Sequence, residues 1–267
     1  MNQPLPKIAV FLKAVAFRLL RIAGILCVIY VSMVFYLALT ERRNAFPRAI
    51  YHKEANEAIR SKAKALTCTL EDGTVLHGFS IGSENAKTLL YYPEADEDAA
   101  QFLAQIDSIP NVSVVTFNYR GSGENKGTPS AETFEKDAEQ IKECASQVNG
   151  NIPSYIAGRG TGAILAAQQS TKDSYTILID PILDIASSIH RKYGFLYPKF
   201  LVRTSLRADT DKINAQGERI IVLMDRKQHE ERTKEEIQNL KKIQIVVRGG
   251  DPLQKTLTNS IRDNLSP

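Results

Sequence analysis

The chain has 267 residues, of which 43% are hydrophobic and 24% are charged, and its net charge is +4. This length accommodates one sizeable α/β domain with an appendage. Lys and Arg are spread among Asp and Glu, so the concentrated basic face of a nucleic-acid-binding protein is absent and no nucleic-acid partner is expected. The three cysteines, Cys27, Cys68 and Cys144, have no metal-ligand spacing. We expect buried or half-buried thiols and no metal site. This odd, sparse set gives no evidence for a disulfide framework, which leaves the redox compartment open.

An uncharged segment near the N-terminus, residues 22–40, reads IAGILCVIYVSMVFYLALT. As a helix it would be about 28 Å long, close to the hydrocarbon thickness of a bilayer. Its end is a poor signal-peptidase site, so the pattern predicts an uncleaved single-pass anchor and a membrane as partner. Basic residues flank both sides, and the side of the membrane that holds the body stays undetermined. Residues 1–21 form a basic, partly amphipathic segment, and residues 41–64 are predicted to form a juxtamembrane linker helix.

Strand-like and helix-like segments alternate over residues 65–267, which we predict to form one domain. The predicted strands are residues 65–70, 75–79, 88–92, 112–117, 155–157, 175–179, 220–224 and 243–247, and the clearest helices are residues 99–106 and 134–148. This alternation predicts a mostly parallel central sheet with helices on both faces. A tight turn between the first two strands predicts an N-terminal antiparallel hairpin. Residues 181–217 interrupt the alternation and are predicted to be a small cap insertion.

Two glycine-rich motifs connect this pattern to a known fold. Gly158-Arg159-Gly160-Thr161-Gly162 lies between a strand and a helix, where the nucleophile elbow G-x-S-x-G lies in α/β-hydrolases. Upstream, Tyr119-Arg120-Gly121-Ser122-Gly123 precedes Gly127-Thr128-Pro129-Ser130, and this pair is similar to the Y-R-G-x-G…G-x-P-[ST] loop of the same proteins. The order of the two motifs agrees with that family. The chain therefore resembles the α/β-hydrolase superfamily, and within it membrane-anchored ABHD-type serine hydrolases, over about residues 65–267.

The resemblance implies a serine on the elbow, an acid after a late strand, a histidine after the last strand and backbone donors for an oxyanion. The serine position is Gly160, which has no side chain to attack a carbonyl. Thr161 comes one residue late, so we expect its hydroxyl to point away from the site, although its N–H could still donate. No histidine follows residue 229, and Pro252 stands roughly where relatives have theirs.

The acid and the oxyanion loop are also altered. Asp225 ends the seventh predicted strand and is either a residual acid or a capping residue. His229 is either a displaced base or a surface residue at a helix start. Glu94, in the loop after the third strand, would repel a developing oxyanion. We therefore assign no catalytic residue and no cofactor. The expected function is that of a catalytically inactive pseudo-hydrolase, a binding or scaffold module for a protein partner or a lipid-like ligand.

Two other functions are consistent with the same sequence motifs. An active ester or lipid hydrolase with rearranged machinery would use Ser122 or Ser130 as its nucleophile. A dinucleotide-binding protein would use Gly158-x-Gly160-x-x-Ala163, with Asp180 at about the expected distance for a ribose contact. Against the second, such a fingerprint normally opens its domain, whereas several strands precede it here.

Overall fold

A single eight-stranded sheet forms the body of the protein in a computed structural model that describes residues 7–263, except residues 84, 107 and 227–229. Each of the eight predicted strands is present. The strands are β1 Lys64–Thr69, β2 Val75–Ile81, β3 Lys87–Tyr92, β4 Val112–Phe117, β5 Tyr155–Arg159, β6 Tyr175–Ile179, β7 Ile220–Met224 and β8 Gln244–Val247. They lie in the order β1-β2-β4-β3-β5-β6-β7-β8.

The first strands form the antiparallel part of the sheet. β1 pairs with β2 across a tight turn at Gly73 (φ +80°), and β2 pairs antiparallel with β4. All pairs from β4 through β3 and β5 to β8 are parallel. All six residues of β4 are buried, as expected for a strand that is covered on both faces. The predicted fold class is confirmed.

Helices join and cover these strands. They are α1 Lys7–Ala45, α2 Lys53–Ile59, α3 Ala99–Gln105, α4 Ala131–Asn149, α5 Gly162–Gln169, α6 Ile185–Tyr193, α7 Thr210–Ala215, α8 Glu230–Ile237 and α9 Leu253–Asp263. Two hydrophobic cores lie on opposite faces of the sheet, because neighbouring strand residues alternate between them. Ile164 of α5 belongs to one core, and Phe102 of α3 and Leu257 of α9 belong to the other.

The N-terminal helix α1 is long and apolar enough to cross a membrane over Ala9–Ala45, with a mean hydropathy of 2.5 in its most apolar part. Its C-terminal end packs into the body, where Leu37, Ala45 and Phe46 are buried in one of the two cores. Glu41 is also buried, and it accepts hydrogen bonds from the Tyr197 hydroxyl (2.7 Å) and from the backbone N–H of Arg203 (2.9 Å).

The loop between β4 and α4 contacts the same end of α1. Arg42 donates to the carbonyl of Pro129 (3.1 Å), and the N–H of Ala49 donates to the Ser122 hydroxyl (3.0 Å). Gly123 donates its N–H to the carbonyl of Ala49 (2.9 Å). The end of α1 is therefore held between this loop and the β6–β7 insertion (residues 180–219), which contains Tyr197.

The predicted linker helix over residues 41–64 is interrupted. Helix α1 ends at Ala45, extended chain follows, and only α2 is helical before β1. Pro47 lacks an N–H and restricts the residue before it, so α1 cannot continue through it. His52 then begins α2, with its Nδ1 accepting the N–H of Ala55 (3.2 Å).

The expectation of free thiols was wrong for two of the three cysteines. Cys68 in β1 and Cys144 in α4 form a disulfide, with their Cα atoms 5.8 Å apart, whereas Cys27 in α1 is free and exposed. The two bonded residues are 76 positions apart in the sequence. They meet because α4 lies on the face of the sheet next to β1, a neighbourhood that residue spacing does not reveal.

Candidate functional site

The predicted elbow is a sharp turn at the carboxyl end of β5. Gly160 has φ +52°, a left-handed conformation in which glycine avoids the clash of a Cβ atom, and α5 begins two residues later. Gly162 lies against the loop after β3, where a Cβ atom would overlap the carbonyl oxygens of Tyr92 and Pro93. The turn therefore has the strand–turn–helix geometry of a nucleophile elbow, and a glycine holds the nucleophile's position.

The space for a nucleophile is filled by Glu94. A Cβ atom at Gly160 would overlap the Glu94 side chain at its Oε1, Cδ and Cγ atoms. Burial raises the pKa of Glu94 and the neighbouring Asp96 carboxylate adds to this, while Arg232 and Arg159 oppose it. A half-buried acid thus occupies the position from which a serine would attack.

The backbone donors of the loop after β3 are engaged by side chains. The N–H of Ala95 donates to the Thr161 hydroxyl (3.1 Å), and the N–H of Glu94 donates to Glu97 Oε2 (3.1 Å). The Thr161 hydroxyl therefore faces this loop and not away from it, contrary to expectation. The reason is that Ala95 is buried and its N–H needs an acceptor. An incoming oxyanion would have to compete with both side chains for these donors.

Glu97 links this loop to the elbow. Its Oε1 lies 3.1 Å from Nη1 of Arg159, the second elbow residue, and its Oε2 accepts a hydrogen bond from the Tyr91 hydroxyl (2.6 Å). The Glu97 side chain is 9% exposed, so this ion pair is shielded from solvent on the Glu97 side. Arg159 is thereby fixed beside the turn by an acid that the sequence did not single out.

Asp225, the candidate residual acid, is part of a second ion cluster. It directly follows β7, and its Oδ2 lies 3.1 Å from Nη2 of Arg248, which directly follows β8. The same Nη2 lies 3.2 Å from Oδ2 of Asp180, and Asp180 Oδ1 accepts the N–H of Asp225 (2.7 Å). Asp225 therefore faces a guanidinium, whereas the family resemblance implies an imidazole beside the acid. A guanidinium stays protonated and cannot act as a general base.

Asp180 is the most buried member of this cluster, with a side chain that is 2% exposed. Its backbone has φ +42°, and its carbonyl accepts a hydrogen bond from Arg232 Nη2 (2.8 Å). Sequence reasoning missed Arg248, although its position supplied a signal. It comes directly after a parallel strand, so its side chain belongs to the same sheet edge as Asp180 and Asp225.

The loop of residues 119–130, on which the family resemblance rests, contacts the rest of the body along its length. The Tyr119 hydroxyl donates to the carbonyl of Pro93 (2.9 Å). Arg120 donates two hydrogen bonds of 2.7 Å to Asp137 and one of 2.8 Å to Asp72. Gly121 and Gly123 have φ +77° and +57°. The loop therefore connects the hairpin turn, α4 and the loop after β3.

The alternative nucleophiles Ser122 and Ser130 have other partners, as does His190. The Ser122 hydroxyl accepts the N–H of Ala49, and the Ser130 hydroxyl accepts the N–H of Thr133 (3.2 Å), where it caps α4. His190 Nδ1 is 3.4 Å from the carbonyl of Tyr197 in the β6–β7 insertion. His229 lies outside the described residues. Within the described ranges, no group of three His, Cys, Asp or Glu side chains could hold a metal ion.

The sheet order and the elbow can be compared with solved structures. An α/β-hydrolase from Vibrio vulnificus superposes with a TM-score of 0.58 at 15% identity, covering 82% of this chain and 95% of that one. An esterase from Pyrococcus furiosus gives a TM-score of 0.56 at 14% identity, again covering 82% of this chain and 95% of that one. The chain has the α/β-hydrolase fold. Its sequence matches no protein-family model and no curated protein.

The overlap between Gly160 and Glu94 leads to a stability prediction for this α/β-hydrolase body. Gly160→Ser should lower the free energy of unfolding by about 1–3 kcal/mol for its left-handed backbone, and by a smaller further amount because the flexible Glu94 side chain must move aside. Gly150→Ser is the matched control, because Gly150 has φ +70° but open space around its Cβ position. Urea unfolding of the full-length protein in detergent measures both variants.

Glu94→Ala removes all three overlapping atoms. In that background Gly160→Ser should cost no more than Gly150→Ser, a coupling of about 0.5–3 kcal/mol. Equal costs for the two glycine substitutions in the wild-type background would show that Glu94 does not fill the nucleophile's space.

Proposed function

We propose that this chain is a membrane-anchored pseudo-hydrolase, whose α/β-hydrolase body works as a binding or scaffold module. The observation that carries the proposal is the position of Glu94, whose side chain fills the space above Gly160 where a nucleophile would project. The ion cluster of Asp225, Arg248 and Asp180 supports it, because Arg248 lies where an acid–histidine pair would need its base. The nucleophile's space is thus filled by Glu94, an ion-paired arginine lies where a base would be needed, and two backbone donors of the loop after β3 are bonded to side chains.

The contacts at the elbow favour a binding site for the partner elsewhere on the body. The Glu97–Arg159 ion pair and the Glu94 carboxyl group fill the turn with polar groups, which disfavours the entry of an apolar acyl chain. Two cavities lie elsewhere on the body. One of about 940 Å³ lies between the β6–β7 insertion and α8, and one of about 1000 Å³ lies beside α4. We therefore expect a protein partner or a ligand on the outer surface of the body.

An active hydrolase with Ser122 or Ser130 as nucleophile is the second candidate. Both hydroxyls accept backbone hydrogen bonds that hold the chain in place, one to the segment after α1 and one at the start of α4. A nucleophilic serine needs a base within hydrogen-bond reach. The bonds that these two hydroxyls make favour structural roles.

A dinucleotide-binding function requires an anion beside the turn. The pyrophosphate of such a cofactor would approach the backbone at Gly160, where Glu94 places a carboxyl group. Asp180, the candidate ribose contact, is buried and bonded to Arg248 and to the N–H of Asp225. Electrostatic repulsion and this prior pairing both favour the pseudo-hydrolase over the dinucleotide-binding protein.

The disulfide supports an orientation for the anchored body. Disulfides persist in oxidising compartments and are rare in the cytosol. Because Cys68 and Cys144 belong to β1 and α4 of the body, we propose that the body lies on the oxidising side of the membrane and the N-terminus on the other. Cys27 lies in the apolar part of α1 and is free, so its alkylation after denaturation in detergent supplies an internal control for the reagent.

Alkylation in intact cells tests this orientation. A membrane-permeable maleimide, added to cells before lysis and again after denaturation in detergent, should leave Cys68 and Cys144 of the full-length protein unmodified until a reductant is added. Cys27 should become modified on denaturation without any reductant. Mass spectrometry of the three cysteine peptides gives the result. Modification of Cys68 and Cys144 without reductant would place the body in a reducing compartment.

A fluorophosphonate probe tests the loss of catalysis, because it labels serines that an adjacent base activates. The full-length protein in detergent should show no more labelling than the same protein after heat denaturation, while an active serine esterase in the same tube is labelled. Labelling that a single substitution such as Ser122→Ala or Ser130→Ala abolishes would contradict the proposed function and support the active hydrolase.

A further inference from the structure

Two aromatic side chains on the β6–β7 insertion project away from the body. Phe195 lies in the 3-10 turn Gly194–Leu196 and is 79% exposed, and Phe200 lies in the 3-10 turn Lys199–Leu201 and is 85% exposed. Tyr197 between them points inward and donates its hydroxyl to Glu41 of α1. Residues 194–201, the aromatic turn, therefore present two phenylalanines outward while their middle is fastened to α1.

The aromatic turn lies beside the apolar part of α1. The Tyr30 hydroxyl donates to the carbonyl of Phe195 (3.4 Å), and from Met33 onward one face of α1 packs on the body. Tyr30 lies inside residues 22–40, the segment predicted to cross the membrane. About 12 Å of helix separates residue 22 from Tyr30, and about 35 Å separates Lys7 from Tyr30.

These lengths limit where a bilayer can sit. The body packs on α1 from Met33 onward, so the hydrocarbon layer, about 30 Å thick, lies on the helix before this point and not on the whole of residues 22–40. The contact of Tyr30 with Phe195 then falls at the surface of that layer, where the aromatic turn meets lipid.

The charges around the aromatic turn fit a lipid headgroup layer. Residues 185–207 contain no Asp or Glu, and their cations are Arg191, Lys192, Lys199, Arg203 and Arg207. Arg191 and Lys199 are paired with acids of the neighbouring surface, Glu235, Glu236 and Asp184. Lys192 and Arg203 are exposed. Phenylalanines that enter the bilayer interface beside lysines and arginines that reach phosphate oxygens form the pattern of an interfacial membrane-binding surface.

We propose that the aromatic turn inserts Phe195 and Phe200 into the interfacial layer of the bilayer that α1 crosses, so that the body lies on the membrane at this surface and is not suspended above it. This inference rests on the proposed anchoring by α1. The insertion would fix the body's orientation, because α1 and the aromatic turn are joined through Tyr30 and Glu41 and contact the membrane at two places.

Variants with a single introduced tryptophan test the inference, because the wild-type chain contains no tryptophan. Three full-length variants would be reconstituted into phosphatidylcholine and phosphatidylglycerol vesicles, with and without lipids brominated along the acyl chain. Phe200→Trp reports on the aromatic turn, and Ile25→Trp reports on α1. Ile152→Trp is the matched control, because Ile152 is 68% exposed but lies in the loop before β5, at the amino edge of the sheet.

The expected result is loss of fluorescence in brominated vesicles for Ile25→Trp and Phe200→Trp, with no loss for Ile152→Trp. If Ile25→Trp is quenched but Phe200→Trp and Ile152→Trp are not, the inference is overturned and the proposed anchor stands. A blue-shifted but unquenched Phe200→Trp would show that protein covers the turn, and would overturn it too. If none of the three is quenched, the proposed anchor itself fails.

Discussion

The carboxyl edge of the sheet depends on one guanidinium. Arg248, directly after β8, lies between the carboxylates of Asp180 and Asp225, which follow β6 and β7. The Asp180 carboxylate accepts the backbone N–H of Asp225 at 2.7 Å, and two acids held this close would repel each other without a cation between them. The ends of three adjacent parallel strands are therefore held by an ion cluster in the place where the fold usually assembles its acid and its base. Removing one partner of such a buried cluster leaves an uncompensated charge, which is why it constrains the rest of the edge.

The elbow is also held by contacts within the protein, over a smaller region. Gly160 keeps the left-handed turn, and Glu94 uses the space that the absent side chain leaves. Thr161 and Glu97 take up the N–H groups of Ala95 and Glu94, so the neighbouring donors serve folding. A hydrolase keeps such groups unpaired and strained so that they can act on a substrate. In this chain they are paired with one another, which favours a rigid scaffold over a catalyst.

The contacts with α1 also lie at the carboxyl edge of the sheet. The β4–α4 loop, which carried the family resemblance, and the β6–β7 insertion both follow the carboxyl ends of strands, and both hold the end of α1. In the proposed orientation the degenerate elbow lies on the end of the body that is nearest the membrane. The contacts of Glu41 and Ala49 would make the anchor and the body move as one unit.

The strands and the elbow could be predicted because they depend on local pattern. Runs such as Val112–Phe117 must be buried, and Gly160 between a strand and a helix marks a turn whatever surrounds it. Three features could not be predicted in this way: the Cys68–Cys144 disulfide, the pairing of Asp225 with Arg248 and the overlap of Glu94 with Gly160. Each joins residues that are distant in sequence, and each depends on which strands become neighbours.

The most direct test of the account is the stability of Arg248→Met, compared with Arg262→Met, which removes an exposed arginine of α9 with a side chain that is 71% exposed. If Arg248 neutralises Asp180 and Asp225 in a structural cluster, Arg248→Met should lower the free energy of unfolding at neutral pH by about 3–5 kcal/mol. Arg262→Met should change it by no more than about 0.5 kcal/mol. Equal, small effects of the two substitutions would contradict the claim that ion pairing has replaced the catalytic arrangement at this edge.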